Sequence, residues 1–173
     1  MASRILVSVR IAAPAERVFD AFTGEIGAWW RANPLFAFTP RSPGTMAFEG
    51  GEGGRLVERL ASGKVFEIGR VRAWEPPSRL VFSWRQATFA PDQETEVEVR
   101  FEAAGAATRV TVEHRGWDAV PAAHVARHGF PEVVFLRRHG EWWQALLAAA
   151  ASWTMASTGR PGADEARSRG PQS

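Results

Sequence analysis

Hydrophobic positions change period twice along this chain. Ile5, Val7, Val9 and Ile11 alternate with polar neighbours, the two-residue period of a strand over Arg4–Ile11. Val18, Phe19, Ala21 and Phe22 then recur at helical spacing. They follow Ala13-Pro14-Ala15-Glu16, where proline suits a first turn and Glu16 suits the macrodipole. Thr23 is placed to cap a second short helix carrying Glu25, Ile26, Trp29 and Trp30, which Asn33-Pro34 stops. Residues 34–45 follow no period, so Phe36 and Phe38 either tuck inward or ride on a lid.

From Thr45 onward, short alternating runs separated by turn signals predict an antiparallel sheet. The expected strands are Thr45–Glu49, Arg55–Leu60, Val65–Trp74, Arg79–Arg85, Glu94–Glu102 and Thr108–Arg115. Gly50–Gly54, Ala61–Lys64, Glu75–Ser78, residues 86–92 and Ala104–Ala106 supply the turns. Within these strands Leu80, Phe82 and Trp84 share a face, as do Thr95, Val97, Val99 and Phe101, with Glu94, Glu96, Glu98 and Arg100 opposite. Val110, Val112 and His114 point the same way. Gly116–Phe130 is a linker with a short helix expected at Ala122–Arg127.

The period returns to helical over Pro131–Ser157. Phe135, Trp142, Leu146, Ala149 and Trp153 fall in a narrow arc, widened by Leu136, Trp143, Leu147 and Ala150. Arg137, Glu141, Gln144 and Ser152 lie opposite. A helix with so bulky an apolar stripe must rest on a large apolar surface, and the sheet provides one. The order β-α-α-β-β-β-β-β-β-α, with helices and strands segregated, is α+β. The domain is expected over residues 1–157, followed by a disordered tail over 158–173, where apolar residues almost vanish.

Composition adjusts this picture in two places. With 173 residues, 45% hydrophobic and 23% charged, the chain suits one soluble domain. The pI near 10.3 resembles that of a nucleic-acid binder, but the net charge is only +2. No Tyr or Cys and a single Lys leave little to titrate at high pH, and acids interleave with the bases, so no phosphate-tracking surface is expected. Absence of Cys excludes disulfides, thiolate catalysis and cysteine-ligated zinc. No run reaches transmembrane length and no signal h-region opens the chain, so membrane insertion is not expected and the cytoplasm is the expected location.

Candidate chemistry is sparse. His139 sits about 40° from the centre of the helical arc, where it could orient a ligand or donate a proton; alternatively it is a partly buried histidine bonded to backbone. His114 reads as structural, closing the sheet beside Trp117. His124 and His128 have ligand spacing but no third partner, so no metal is expected, nor any other cofactor. Glu58 and Glu67 share the phase of Leu56, Leu60 and Val65, and are either buried acid–base candidates or carboxylates at a wet sheet edge. No hydrolase elbow, zinc-protease or phosphate-loop signature is present.

Several stretches together resemble the START-like (SRPBCC) superfamily, and within it bacterial members of the activator of heat-shock protein 90 ATPase homologue-like family. They are Ile11–Phe22, Trp29-Trp30, Trp74–Trp84, Thr95-Glu96-Val97, Thr108–Trp117 and Gly140–Leu146. The resemblance covers about residues 4–150 and implies a helix-grip fold, a curved antiparallel sheet wrapped around the long C-terminal helix with a cavity between. Eight Trp and eleven Phe then read either as a packed aromatic core or as the wall of that cavity. The candidate lining is Trp29, Trp30, Phe36, Phe48, Phe82, Trp84, His139, Trp142, Trp143 and Leu146. The leading expectation is a non-enzymatic module binding a small hydrophobic molecule. The alternatives are a polyketide cyclase or hydrolase-type enzyme in the same cavity, and an interaction protein that contacts a chaperone or forms a homodimer through the outer sheet face. Eukaryotic activators carry a separate chaperone-engaging N-terminal domain to which nothing in this sequence corresponds, so chaperone activation ranks behind ligand binding.

Overall fold

A computed structural model describes residues 3–158 of the chain. Residues 159–173 of the expected tail lie outside the described residues; Thr158 itself ends the last helix. The alternating segments form seven strands, β1 (Arg4–Ile11), β2 (Thr45–Glu49), β3 (Arg55–Arg59), β4 (Val65–Glu75), β5 (Arg79–Trp84), β6 (Thr95–Ala104) and β7 (Ala107–Arg115). The helices are α1 (Ala15–Gly24), the one-turn α2 (Ile26–Trp29) and α3 (Glu132–Thr158). Strands pair antiparallel in the order β1-β7-β6-β5-β4-β3-β2, so the meander is closed on one side by the N-terminal strand. Helix α3 lies against the curved sheet, giving the helix-grip arrangement that the element order implies.

Strand β4 serves both halves of the sheet, β3 through its first part and β5 through its second, with register shifts on both sides. Gly69 sits at this junction. A Cβ there would lie 1.6 Å from the Ser83 carbonyl oxygen, so only glycine allows β5 this close. The Ser83 hydroxyl accepts from the Arg70 N–H at 2.8 Å, and the Arg85 N–H donates to Ile68 O at 2.9 Å, holding the bend.

The inward faces of the strands meet α1 and α3 in one continuous core, from Ile5 and Ile11 through Val97, Val99, Val110 and Val112 to Trp143 and Leu147. Thr23 does not cap α2. Its hydroxyl donates to Phe19 O at 2.7 Å inside α1, because its side chain already points into the core. The stripe α3 buries is also rotated from the expected arc. His139, Trp143, Leu147, Ala150 and Thr154 are buried, whereas Ala149 and Trp153 are partly covered at its margin. Trp153 is held there by donating to Glu25 Oε1 at 3.1 Å, while Arg17 pairs with the same carboxylate and donates to Ser157 Oγ at 2.6 Å.

The linker contains 3-10 turns at Trp117–Ala119 and Val125–Arg127 in place of a helix over 122–127. Arg127 organises it. Its guanidinium is buried, donates to Trp117 O at 2.6 Å and Val120 O at 2.9 Å, and stands 5.1 Å from the Phe135 ring centre.

Candidate functional site

The segment between α2 and β2 crosses the end of the grip as a strap. Asn33 caps its single 3-10 turn, Pro34–Phe36, by accepting from the Leu35 N–H at 2.9 Å. Phe36 and Phe38 both point inward and are almost fully buried, so this segment is part of the core and not a free lid. Three bonds tie the strap down: Trp142 Nε1 donates to Arg31 O at 2.8 Å, the Ala87 N–H to Phe38 O at 2.7 Å, and His128 Nε2 contacts Leu35 O.

Under the strap lies a cavity of about 310 Å³. Its walls come from strap residues 30–44, from Trp142 of α3 and from Glu58 of β3. Trp30 and Trp142 meet edge to face at 5.6 Å, and Phe36 stacks on Trp142 at 5.4 Å. Phe38 completes the aromatic side, 6.2 Å from Trp30. Glu58 supplies the polar side. It is 3% exposed, and its carboxylate accepts from Ser42 Oγ, 2.7 and 2.9 Å from its two oxygens, and from the Gly44 N–H at 3.2 Å. Thr39 Oγ1 lies farther away at 3.4 Å.

Of the residues expected to line a cavity, Trp30, Phe36 and Trp142 face this one. Trp29, Phe82, Trp84, Trp143 and Leu146 do not line it and are buried in the core. Phe48 sits on the far side of the core against Phe82 and Trp74. Glu67 is on the surface, paired with Arg70 at 3.0 Å. The cavity residues that the sequence pattern did not single out, Ala32, Pro34, Ser42, Pro43 and Gly44, belong to the aperiodic strap, where no period assigns a face.

His139 lies immediately behind the aromatic wall, completely buried. Its ring is 4.4 Å from Phe36, 5.1 Å from His114 and Trp117, and 5.3 Å from Trp142. Neither ring nitrogen has a hydrogen-bond partner, contrary to the backbone bond expected for a histidine near the helix end. Nor do Trp84 Nε1 and Trp117 Nε1, in the same cluster. Burial pushes His139 down to about 3, so it is neutral near pH 7.

His114 is buried too but fully partnered. An indole N–H only donates, so Trp143 Nε1 gives its proton to His114 Nδ1 at 3.1 Å. His114 Nε2 therefore carries the hydrogen and donates to Thr95 Oγ1 at 2.7 Å, and that hydroxyl donates to Trp84 O at 3.2 Å. Burial, and secondarily His139, hold His114 well below the usual histidine range. This chain fixes one neutral tautomer and ties α3 to β5, β6 and β7.

His124 and His128 do not share a ligand position. His124 Nδ1 accepts from the Ala126 N–H at 3.0 Å and its Nε2 faces Thr88 O, while His128 adopts a left-handed backbone and turns to the strap. Among the described residues no group of three or more His, Cys, Asp or Glu is arranged to hold a metal ion. No described helix is long and apolar enough to cross a membrane.

Solved structures share this architecture. Protein MLL2253 of Mesorhizobium loti superposes with a TM-score of 0.63 at 19% identity, covering 91% of this chain and 99% of its own. An HSP90 activator of Plasmodium falciparum gives 0.56 at 18% identity over 84% of this chain and 91% of its own. DynU16, from the dynemicin biosynthetic locus, gives 0.60 at 21% identity; it covers 92% of this chain, which spans 49% of it. At these identities the three establish the fold alone. No curated protein sequence matches. The sequence profile of the Activator of Hsp90 ATPase homolog 1-like protein family matches residues 12–136, from the end of β1 into α3, and so spans most of the chain. By the order of its elements and by that match, the chain belongs to the Activator of Hsp90 ATPase homolog 1-like family of the START-like superfamily.

Proposed function

We propose that the protein binds a small, largely apolar molecule beneath the strap. The supporting observation is the cavity itself, about 310 Å³ with Trp30, Phe36, Phe38 and Trp142 on its walls. That volume is at the small end of ligand sites, roughly 300–1,000 Å³, and has room for about ten waters. It suits a compact ring compound better than a long acyl chain or a sterol. Two wall residues are tryptophans, so occupancy should change intrinsic fluorescence. Titration with compact ring compounds is expected to quench or shift the emission in a saturable way, and Trp30→Ala to remove most of the change. A panel of such compounds that leaves the emission flat would sink the reading.

The enzymatic alternative needs several polar groups to converge on a substrate. Of the candidate acid–base groups only Glu58 reaches the cavity, since Phe36 and Trp142 separate His139 from it and Glu67 is in a surface ion pair. The family description favours a chaperone contact as the third reading, which a pull-down with purified Hsp90 tests directly; no complex at micromolar concentration would count against it.

A further inference from the structure

Among the described residues, Glu58 is the one ionisable side chain in the cavity wall, and no Arg, Lys or His contributes there. Among the described residues, its carboxylate has no ion-pair partner, and its hydrogen bonds come from Ser42, Thr39 and a backbone N–H only. A single Ser42 hydrogen lies within reach of both oxygens and can serve only one at a time. At most three protons therefore serve about four acceptor positions, one of them over a long 3.4 Å contact. The other buried carboxylate among the described residues is treated differently: Glu98, 6% exposed, takes charged hydrogen bonds from Arg79, Arg100 and Arg115. Burying a carboxylate without a countercharge costs free energy that a cation in contact would recover.

Lining the same cavity as Glu58 are the aromatic side chains of Trp30, Phe36, Phe38 and Trp142. Ring faces attract a cation within about 6 Å, tryptophan most strongly. An aromatic lining that also holds a carboxylate with no ion-pair partner makes a receptacle for positive charge on an apolar body. We propose that the ligand class of this cavity is the compact hydrophobic amine. Its ammonium group would donate to Glu58, and its ring or cage would lie against the tryptophans. This rests on the pocket-binding reading and specifies it.

Three cage compounds of nearly one shape test it: adamantylamine, adamantanol and adamantanecarboxylate, each titrated against the whole protein by tryptophan fluorescence and calorimetry at pH 7. The amine is expected to bind about tenfold or more tightly than the alcohol, as suits a charged hydrogen bond, and the carboxylate not to bind detectably. In Glu58→Gln, checked for a native thermal transition, the amine should lose its advantage while the alcohol keeps its affinity. Equal binding of amine and alcohol to the unaltered protein overturns the amine inference and leaves the apolar pocket standing. An advantage that persists in Glu58→Gln also overturns it. No response to any of the three compounds overturns this inference, and with a wider ring panel also silent, the pocket reading falls with it.

Discussion

Among the described residues, His139 has two buried polar atoms without a hydrogen-bond partner: it is a neutral imidazole enclosed by Phe36, His114, Trp117 and Trp142. Leaving such groups unpaired costs about 1–3 kcal/mol, so His139→Leu is expected to stabilise the fold by about 1 kcal/mol or more at pH 7.5. The sign of its pH dependence follows from its depressed folded value of about 3. Below an unfolded value near 6.5 the unfolded chain takes up a proton that the folded one refuses, so stability present above that pH is lost as pH falls toward 3. The slope is about 1.4 kcal/mol per pH unit for each such histidine, and His114 adds its own. Urea unfolding at pH 7.5 and pH 5 should therefore show a smaller acid loss in His139→Leu. An unchanged acid loss would refute the account. Helical spacing alone put His139 off the centre of the arc; its isolation became visible only when rings from the strap, β7 and the linker closed around it.

At the level of elements, the outer sheet face carries a lattice of ion pairs that alternation foresaw only in part. Glu98 points away from the core as its position in β6 requires, yet it is 6% exposed because arginines from β5, β6 and β7 fold over it. Burial alone would push its carboxyl up; the hydrogen bonds from Arg79, Arg100 and Arg115 outweigh that and hold it at about 2. A depressed acid contributes stability above its unfolded value near 4.3 and loses it as pH falls toward 2, a window that opens below that of the histidines and overlaps its acid end. Glu98→Gln should cost about 1–3 kcal/mol at pH 7, a figure reduced for the half-exposed arginines, and the cost should vanish near pH 2. Chemical denaturation across that range checks it; a pH-independent difference would mean that packing and not charge is responsible. Strand β4 supplies the second test. Gly69→Ala forces a methyl group onto the Ser83 carbonyl, and a loss of about 2–3 kcal/mol or more is expected in thermal unfolding. A native-like midpoint would show that the β4–β5 bend relaxes at little cost.

Across the whole molecule, the grip is tight along most of its length and opens at one end. Between the sheet and α3, Trp29, Trp84, Trp143 and Leu146 are fully buried in the core. The opening lies where β2 and β3 carry the strap, and Trp142 is both a cavity wall and the hydrogen-bond donor that anchors Arg31. Strap, cavity and anchoring helix are thus mechanically one unit.

The residue pattern by itself determined the strands, their succession along the chain, the three helices and the α+β class, because the face a residue occupies in a regular element is set by local period. It also placed Trp142 on the apolar face of the last helix and Glu58 in an apolar phase, while Phe36, in a segment without a period, stayed open between core and lid. Only the tertiary structure decided which inward residues pack and which leave space. Phe36 meets His139, and Glu58 meets Ser42 and Gly44, through a segment with no period to read. Burial is a property of one face of an element, whereas a cavity is a mismatch between several faces distant in sequence. No local pattern encodes that mismatch.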